Sequence, residues 1–324
     1  MASSAKQLDQ FFTQDGVAAD SLDVILKVLE QLGYTPADNL FIEPSAGEGA
    51  FIRAFKESNL DYLAYDIDVK QPYVAKLDFL QQGIPSNLPE KDKIIVIGNP
   101  PFGKRARLAI DFINKSFEYS DTVAFILPLQ FDKYSAQKRI NPFANLVYNQ
   151  RLNDNSFVYE GKEYAVRCCL QVWTKRDSLP DKRLRQPPQI NHRDFEMWQY
   201  NNTREAEKFF DKDRYKWDFA VPRQGYKDYS IKETDPDNMD RRTQWIFFRA
   251  SNDNILHNLM KLDFNKLSHK NTSTPGFGKA DVVQAYEEMF HRDSISDTST
   301  ETQTFQLGEP SPNLAETLPL PLIL

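Results

Sequence analysis

The sequence predicts an α/β protein in which a parallel sheet is covered on both faces by helices, followed by a smaller α+β region. Three observations predict it. Short apolar, β-branched runs alternate with amphipathic helical stretches up to about residue 173. Glycine or acidic residues stand at the ends of the first three runs, where an open sheet of this kind carries its ligand-binding turns. Beyond residue 188 the alternation stops, and aromatic and basic residues interleave instead.

The elements follow in order. Gln10-Phe-Phe-Thr-Gln-Asp-Gly-Val17 leads into a helix. Val17, Leu22, Ile25, Leu26, Val28 and Leu29 give that helix one buried face, and Gly33 suits its C-cap. Strands are expected over 39–43, 61–65, 73–77, 94–98, 122–127 and 165–173, and helices near 50–56 and 107–119. Proline and charge over 177–188 mark a linker. Residues 189–292 form a second region with helices near 255–262 and 280–291. The Ser/Thr/Glu/Pro composition from Asp293 onward cannot bury enough apolar surface to offset ordering entropy, so that tail is expected to be disordered. The resulting division is 1–176, 177–292 and an acidic tail over 293–324.

Composition narrows the class. The 324 residues suffice for one large domain and a smaller one, and 40% hydrophobic content is enough to fold most of them. The net charge of −6 does not mark a nucleic-acid binder, but the segment after Arg292 holds no Lys or Arg and carries Asp293, Asp297, Glu301, Glu309 and Glu316. Without that segment the remainder is near neutral, so charge distribution matters more than its sum. Cys168 and Cys169 are neighbours in an expected strand, point to opposite faces and are unsuited to pair with each other. No Cys/His grouping has metal-site spacing, and no apolar run has the length of a bilayer span. The expectation is a cytoplasmic protein without a metal and without a membrane partner.

Asn99-Pro100-Pro101-Phe102 carries the most specific chemistry. It follows the buried run 94–98. Each proline lacks an N–H and fixes φ, so the strand must stop and present a rigid corner. That corner holds a carboxamide, carbonyls freed from strand pairing and an aromatic ring. The Asn99 side-chain oxygen and the Pro100 carbonyl can accept the hydrogens of a planar exocyclic amine, and Phe102 can stack on the ring bearing it. Glu43-Pro-Ser-Ala-Gly47-Glu-Gly49 lies where the first strand meets a helix, and its glycines allow a tight turn with close approach of a ligand to the backbone. Asp66 closes the second strand, where a carboxylate suits two ribose hydroxyls, and Asp78-Phe79 follows the third, where it can pair with and cover an adenine.

Phe11-Phe-Thr13, Glu43-Pro-Ser-Ala-Gly-Glu-Gly49, Asp66, Asp78-Phe79 and Asn99-Pro-Pro-Phe102, in that order, resemble the S-adenosylmethionine-dependent DNA N6-adenine methyltransferases of gamma-type motif order. The resemblance covers roughly the first half of the chain. It implies a Rossmann-like methyltransferase sheet, a C-terminal target-recognition domain and S-adenosyl-L-methionine as cofactor. It further implies that Thr13, Glu43, Pro44, Gly47 and Gly49 line the methionine side. Asp66 then binds the ribose, Asp78 the adenine amine, and Phe79 the adenine ring. Asn99, Pro100, Pro101 and Phe102 form the catalytic loop, and Phe157 meets the flipped base. Gln14 departs from the pattern, since many relatives have proline after the threonine.

The implied partner is nucleic acid, most simply double-stranded DNA. Lys104, Arg105 and Arg107 stand just past the catalytic loop, where they suit phosphate contacts. Trp198, Tyr200, Arg204, Arg214, Tyr215, Lys216, Trp217, Arg223, Gln224, Tyr226, Lys227 and Tyr229 fall in the region expected to read the target, and Arg241, Arg242 and Lys279 are further phosphate candidates. A companion restriction endonuclease and a monomer or weak dimer complete the expectation. Two alternatives stay open: an RNA adenine or guanine methyltransferase, since Asn-Pro-Pro-aromatic loops also serve RNA, and a non-catalytic nucleic-acid-binding module.

Overall fold

The computed structural model describes residues 12–84, 88–153, 157–159, 162–164, 166–269 and 274–290. The expected tail over 293–324 lies outside the described residues. The strands are β1 Phe12–Thr13, β2 Leu40–Glu43, β3 Tyr62–Asp66, β4 Ala75–Lys76, β5 Ile94–Gly98, β6 Thr122–Pro128, β7 Asn145–Arg151, β8 Phe157–Tyr159, β9 Lys162–Tyr164, β10 Cys168–Thr174, β11 Phe195–Tyr200, β12 Phe219–Gln224 and β13 Gln244–Ala250. The helices are α1 Asp15–Gln31, α2 Ala50–Glu57, α3 Arg107–Ser116, α4 Tyr134–Gln137, α5 Lys212–Tyr215, α6 Asp253–Met260, α7 Phe264–Ser268 and α8 Lys279–Phe290.

Seven strands form the main sheet in the order β4-β3-β2-β5-β6-β10-β7. The pairs β4-β3, β3-β2, β2-β5 and β5-β6 are parallel, and β10 runs antiparallel to both β6 and β7. This is a Rossmann-like, mostly parallel sheet with one reversed strand inserted near its far edge. Alternation along the strands sorts side chains onto two faces. Phe41, Ile95, Ile97, Ala124, Ile126 and Leu170 join the core beneath α1 and α2, while Ile42, Val96, Val123, Phe125 and Trp173 join the core beneath α3. Cys168 belongs to the first cluster and Cys169 to the second, so the two thiols lie on opposite faces.

Helix α1 buries Ala18, Leu22, Ile25, Val28 and Leu29. Gly33, at φ 81°, turns the chain after it, with the Tyr34 N–H donating back to the Leu29 carbonyl at 2.9 Å. Helix α3 stops at Ser116, short of the expected residue 119. The expected strand over 73–77 shortens to two exposed residues, because it is the sheet's outer edge and packs on one side only.

The segment after β10 is pinned to the main sheet's domain, although its proline and charge read as a linker. Arg183 donates from Nη1 to the carbonyls of Asn141 and Ala144 at 2.7 and 3.0 Å, and from Nη2 to those of Gln137 and Ile140, both at 2.7 Å. Its guanidinium carbon stands 5.5 Å from the Trp173 ring centroid. One planar, five-donor side chain thus satisfies four carbonyls in the turns after α4.

Of the six other described strands, β1, β8 and β9 form one three-stranded antiparallel sheet, and β11, β13 and β12, in that order, form another. One face carries Phe195, Met197, Val221, Ile246 and Phe248 into a core shared with Leu259, Phe264, Val282 and Tyr286 of α6, α7 and α8. The other face packs Ala220, Trp245 and Phe247 with Phe210 and Trp217. Asn252 and Asp263 cap α6 and α7, accepting from the Ile255 and Lys266 N–H groups at 3.1 and 2.9 Å.

Candidate active site

The parallel strands point their carboxyl ends to one rim of the sheet, and the strand order reverses about β2, between β3 and β5. Ligands bind open α/β sheets at such a switch point. The turn after β2 and the corner after β5 meet there. Ser45 Oγ donates to the Asn99 carbonyl at 3.3 Å, joining the two loops directly. Gly98 lets them approach, since a Cβ on it would stand 3.3 Å from Glu43 Cγ and 3.8 Å from Pro44 Cδ.

The glycine turn is built on left-handed backbone. Gly47 has φ 53° and Gly49 φ 82°, and Gly49 is the N-cap of α2. A Cβ on Gly49 would lie 2.8 Å from Tyr73 Oη. The Gly47 N–H donates to Asp66 Oδ2 at 2.8 Å, and the Asp68 N–H donates to Asp66 Oδ1, also at 2.8 Å. Asp66 therefore ties the turn to the end of β3. Burial raises its carboxyl above the usual carboxylate range despite these two donors.

Glu43 is the most unusual group in the rim. It is 2% exposed, and its Oε2 is buried without a hydrogen-bond partner among the described residues. Burial first, and the nearby Asp66 second, hold its carboxyl well above the ordinary range.

Beside this turn lies the short strand β1. Asn99 Nδ2 donates to Thr13 Oγ1 at 3.1 Å. Thr13 pairs in antiparallel register with Phe157, and Phe12 with Val158. The backbone of β8 is thereby brought to the site edge, one strand away from Asn99. Two residues past Thr13, Asp15 forms an ion pair with Arg53, whose Nη1 also donates to the Glu48 carbonyl at 2.7 Å. Thr13, Glu43, Ser45, Gly47, Ala50 and Asn99 line a partly open cavity of about 30 Å³.

The other expected site residues fall as follows. Pro44 and Pro100 flank the junction of the two loops. Asp78 opens a turn, its Oδ1 accepting from the Gln81 N–H at 3.1 Å. Phe79 is 2% exposed, with its ring centroid 5.3 Å from that of Phe112 and 6.1 Å from that of Tyr119. Phe102 is likewise buried, in the cluster that includes Val147, Val166 and Cys168. Lys104, Arg105 and Arg107 are exposed. Only Arg107 lies in α3, because Gly103, Arg105 and Ala106 all take positive φ in the turn before it. Arg107 faces Asp111 at 3.8 Å. In the second unit, Lys279 Nζ donates to the Met197 carbonyl at 2.6 Å, and the exposed Arg242 pairs with Asp240.

No protein-family model and no curated protein sequence matches the chain. Several solved structures are similar to part of it. A Pyrococcus horikoshii protein provisionally described as an RNA methyltransferase is 16% identical over 54% of this chain and 90% of its own, with a TM-score of 0.40. A Listeria monocytogenes protein provisionally described as a class I S-adenosylmethionine-dependent methyltransferase is 15% identical over 52% of this chain and 63% of its own, with a TM-score of 0.36. A human methyltransferase 10 domain-containing protein is 13% identical over 48% of this chain and 82% of its own, with a TM-score of 0.32.

Residue patterns alone did not single out Ser45, Arg53 or Tyr73. Ser45 sits inside the glycine motif and could have been read as a donor to the opposite loop. Arg53 and Tyr73 carry no local signal, because their roles depend on partners 38 and 24 positions away, at Asp15 and Gly49. Ile67, half exposed directly after Asp66, is a further apolar surface at the rim. Among the described residues no group of His, Cys, Asp and Glu is arranged to hold a metal, and no helix is long and apolar enough to cross a membrane.

Proposed function

We propose that this chain transfers the methyl group of S-adenosylmethionine to the N6 amine of adenine in DNA. The observation that carries the reading is that the Asn99 corner and the glycine turn open on one cavity, with a buried carboxyl between them. The donor set fits the cofactor. A buried carboxylate oxygen without a partner suits an α-ammonium, positive-φ glycines suit close backbone approach, and a carboxylate at the end of β3, as Asp66 is, suits two ribose hydroxyls. When bound, S-adenosylmethionine supplies an electrophilic sulfonium methyl.

The protein's part is placement. With its nitrogen donating to Thr13, the Asn99 carboxamide directs its oxygen to accept from a substrate amine. The Pro100 carbonyl accepts the second amine hydrogen. Two acceptors pull the nitrogen toward tetrahedral geometry, localise its lone pair and aim it in line with the methyl. The same oxygens offset the positive charge that develops on nitrogen, and the surplus proton passes to water. No covalent nucleophile is required. In a duplex the amine is paired and stacked, so the base must be extruded into the site. The exposed Lys104, Arg105 and Arg107 beside the corner suit phosphates at its mouth. Residues 1–176 act as the catalytic domain and 177–292 as the target-recognition domain, whose first residues, through Arg185, pack on the catalytic domain.

Transfer of a labelled methyl group from the cofactor to duplex DNA, structured RNA and protein, followed by nucleoside digestion, tests the reading. Label in N6-methyladenine of DNA, lost in Asn99→Ala, is the expected result. Label confined to RNA or protein, or equal transfer by Asn99→Ala, overturns it.

A further inference from the structure

The three-stranded sheet ends in a cluster of amides around one arginine. Both outer strands run antiparallel to β13, so the ends of β11 and β12 meet its beginning. Tyr200 is in register with Trp245, and Gln224 with Gln244. Asn201 thus follows β11, Arg223 and Gln224 close β12, and Gln244 opens β13, all at one sheet end. The register slips between Pro222 and Gln224, which re-aims the side chain of Arg223. Its Nη1 donates to Gln244 Oε1 at 2.6 Å and to Asn201 Oδ1 at 3.2 Å. Gln199 Nε2 donates to the same Asn201 oxygen. Gln224 and Tyr226 are exposed beside the cluster.

This arrangement is costly as a purely structural device. Arg223 Nε is buried with no hydrogen-bond partner among the described residues, an omission worth about 1–3 kcal/mol. Nη2 makes no hydrogen bond among them either. The acceptors on Nη1 are neutral amides, and the nearby Asp281 acts on the guanidinium through space while its Oδ2 accepts from the Gly278 N–H. Nη1 is therefore held and Nε is buried, so Nη2 is the nitrogen left to a ligand, and its plane is fixed before any ligand arrives. The cluster is also tied toward the catalytic rim. Gly276, bridged to Gln224, donates its N–H to the Ser268 carbonyl at 2.7 Å. The next carbonyl, of His269, accepts from Arg167 Nη1 at 3.5 Å. The Arg167 carbonyl in turn accepts from the Leu129 N–H at the rim end of β6.

We infer that Arg223, held by Asn201 and Gln244, reads the edge of a guanine in the DNA that this chain methylates, with Gln224 and Tyr226 completing the contact surface. The inference rests on the proposed methylation of DNA. A phosphate needs charge without fixed orientation, as exposed Lys104 and Arg105 provide. The two N–H donors of an Nη2 held in one plane suit the two acceptors O6 and N7 of guanine, and neighbouring amides can read an adjacent base.

The test is methylation of a random-sequence duplex pool by the full chain, followed by sequencing of the modified sites. Wild-type protein is expected to favour guanine at one fixed offset from the methylated adenine. Arg223→Ala and Gln244→Leu should still methylate adenine but lose that preference, roughly 5- to 150-fold for a contact of about 1–3 kcal/mol. Arg223→Lys should not restore it. An unchanged sequence preference in folded Arg223→Ala overturns the inference and leaves DNA methylation standing. Should Arg223→Ala fail to fold, an unchanged preference in Gln244→Leu overturns it equally. Wild-type protein that methylates RNA or protein and no DNA overturns both readings, and a uniform loss of rate at every sequence marks Arg223 as a phosphate contact, against the inference.

Discussion

Asn99 Nδ2 donates to Thr13 Oγ1 at 3.1 Å, across 86 positions of sequence. The hydroxyl therefore fixes which end of the carboxamide accepts. Removing the hydroxyl without changing shape separates orientation from presence. Thr13→Val should keep the fold and cofactor affinity while kcat falls about 10- to 100-fold, the scale of a slightly misplaced reacting group. Asn99→Ala should lower kcat at least about 100- to 1,000-fold with cofactor binding retained. Steady-state methyl transfer together with calorimetric titration of the cofactor checks both. Equal losses in kcat and affinity for Thr13→Val would assign the hydroxyl to cofactor binding instead.

Glu43 and Asp66 make stability depend on pH with a defined sign. Burial raises both carboxyls, so the folded state keeps protons that the unfolded chain has released. Between the ordinary carboxylate range and the raised folded values, stability therefore falls as pH rises, and it levels above that window. Glu43→Gln removes the larger contribution. It should flatten the thermal unfolding profile against pH, raise stability at neutral pH, and weaken cofactor binding roughly 10- to 100-fold through loss of a charged hydrogen bond. Wild-type binding should release a proton as Glu43 ionises, which calorimetry in buffers of different ionisation enthalpy measures.

Gly49 carries two demands at once. Its φ of 82° strains any other residue, and a Cβ would meet Tyr73 Oη at 2.8 Å. Gly49→Ala should cost about 1–3 kcal/mol in urea unfolding. Adding Tyr73→Phe removes the clash and leaves the backbone strain, so the double variant should recover only part of the loss. Full recovery would mean that φ contributes nothing.

The strands that position this site were legible because they are buried on both faces and so read as continuous apolar runs, as Ile94–Gly98 does. β7 escaped notice for the opposite reason. It is an edge strand, and its Asn149, Gln150 and Arg151 lie on the solvent side. The sheet of β1, β8 and β9 has strands of two or three residues, below the length at which periodicity says anything, and only tertiary pairing holds them. The placement of Asn99 at the end of a buried strand and of Gly47 in a tight turn was readable from residue type and order. The burial of Phe79 and Phe102 was not, because an aromatic beside a motif reads the same whether it faces a ligand or a core.

Cys168 and Cys169 should prove chemically quiet. Both are buried, and burial pushes both thiols well above their usual range, which suppresses the reactive thiolate. Native protein should react with a thiol reagent only after denaturation, and Cys168→Ala should keep methyl transfer. Fast labelling of the native protein, or loss of activity on labelling, would put a thiol at the site.

Arg183 offers the sharpest test of the fold. Its guanidinium answers the carbonyls of Gln137, Ile140, Asn141 and Ala144, and burial lowers its pKa. Arg183→Ala leaves four acceptors short of a donor at once and should cost about 3–5 kcal/mol, a loss measured by denaturant unfolding. Arg183→Lys should recover little, since three tetrahedral donors cannot span four carbonyls arranged for a planar fork. The site lies along β2 and β5 while these carbonyls follow α4, so transfer by the folded fraction should persist. A neutral Arg183→Ala would mean that water satisfies the carbonyls and that the turns after α4 hold without the arginine.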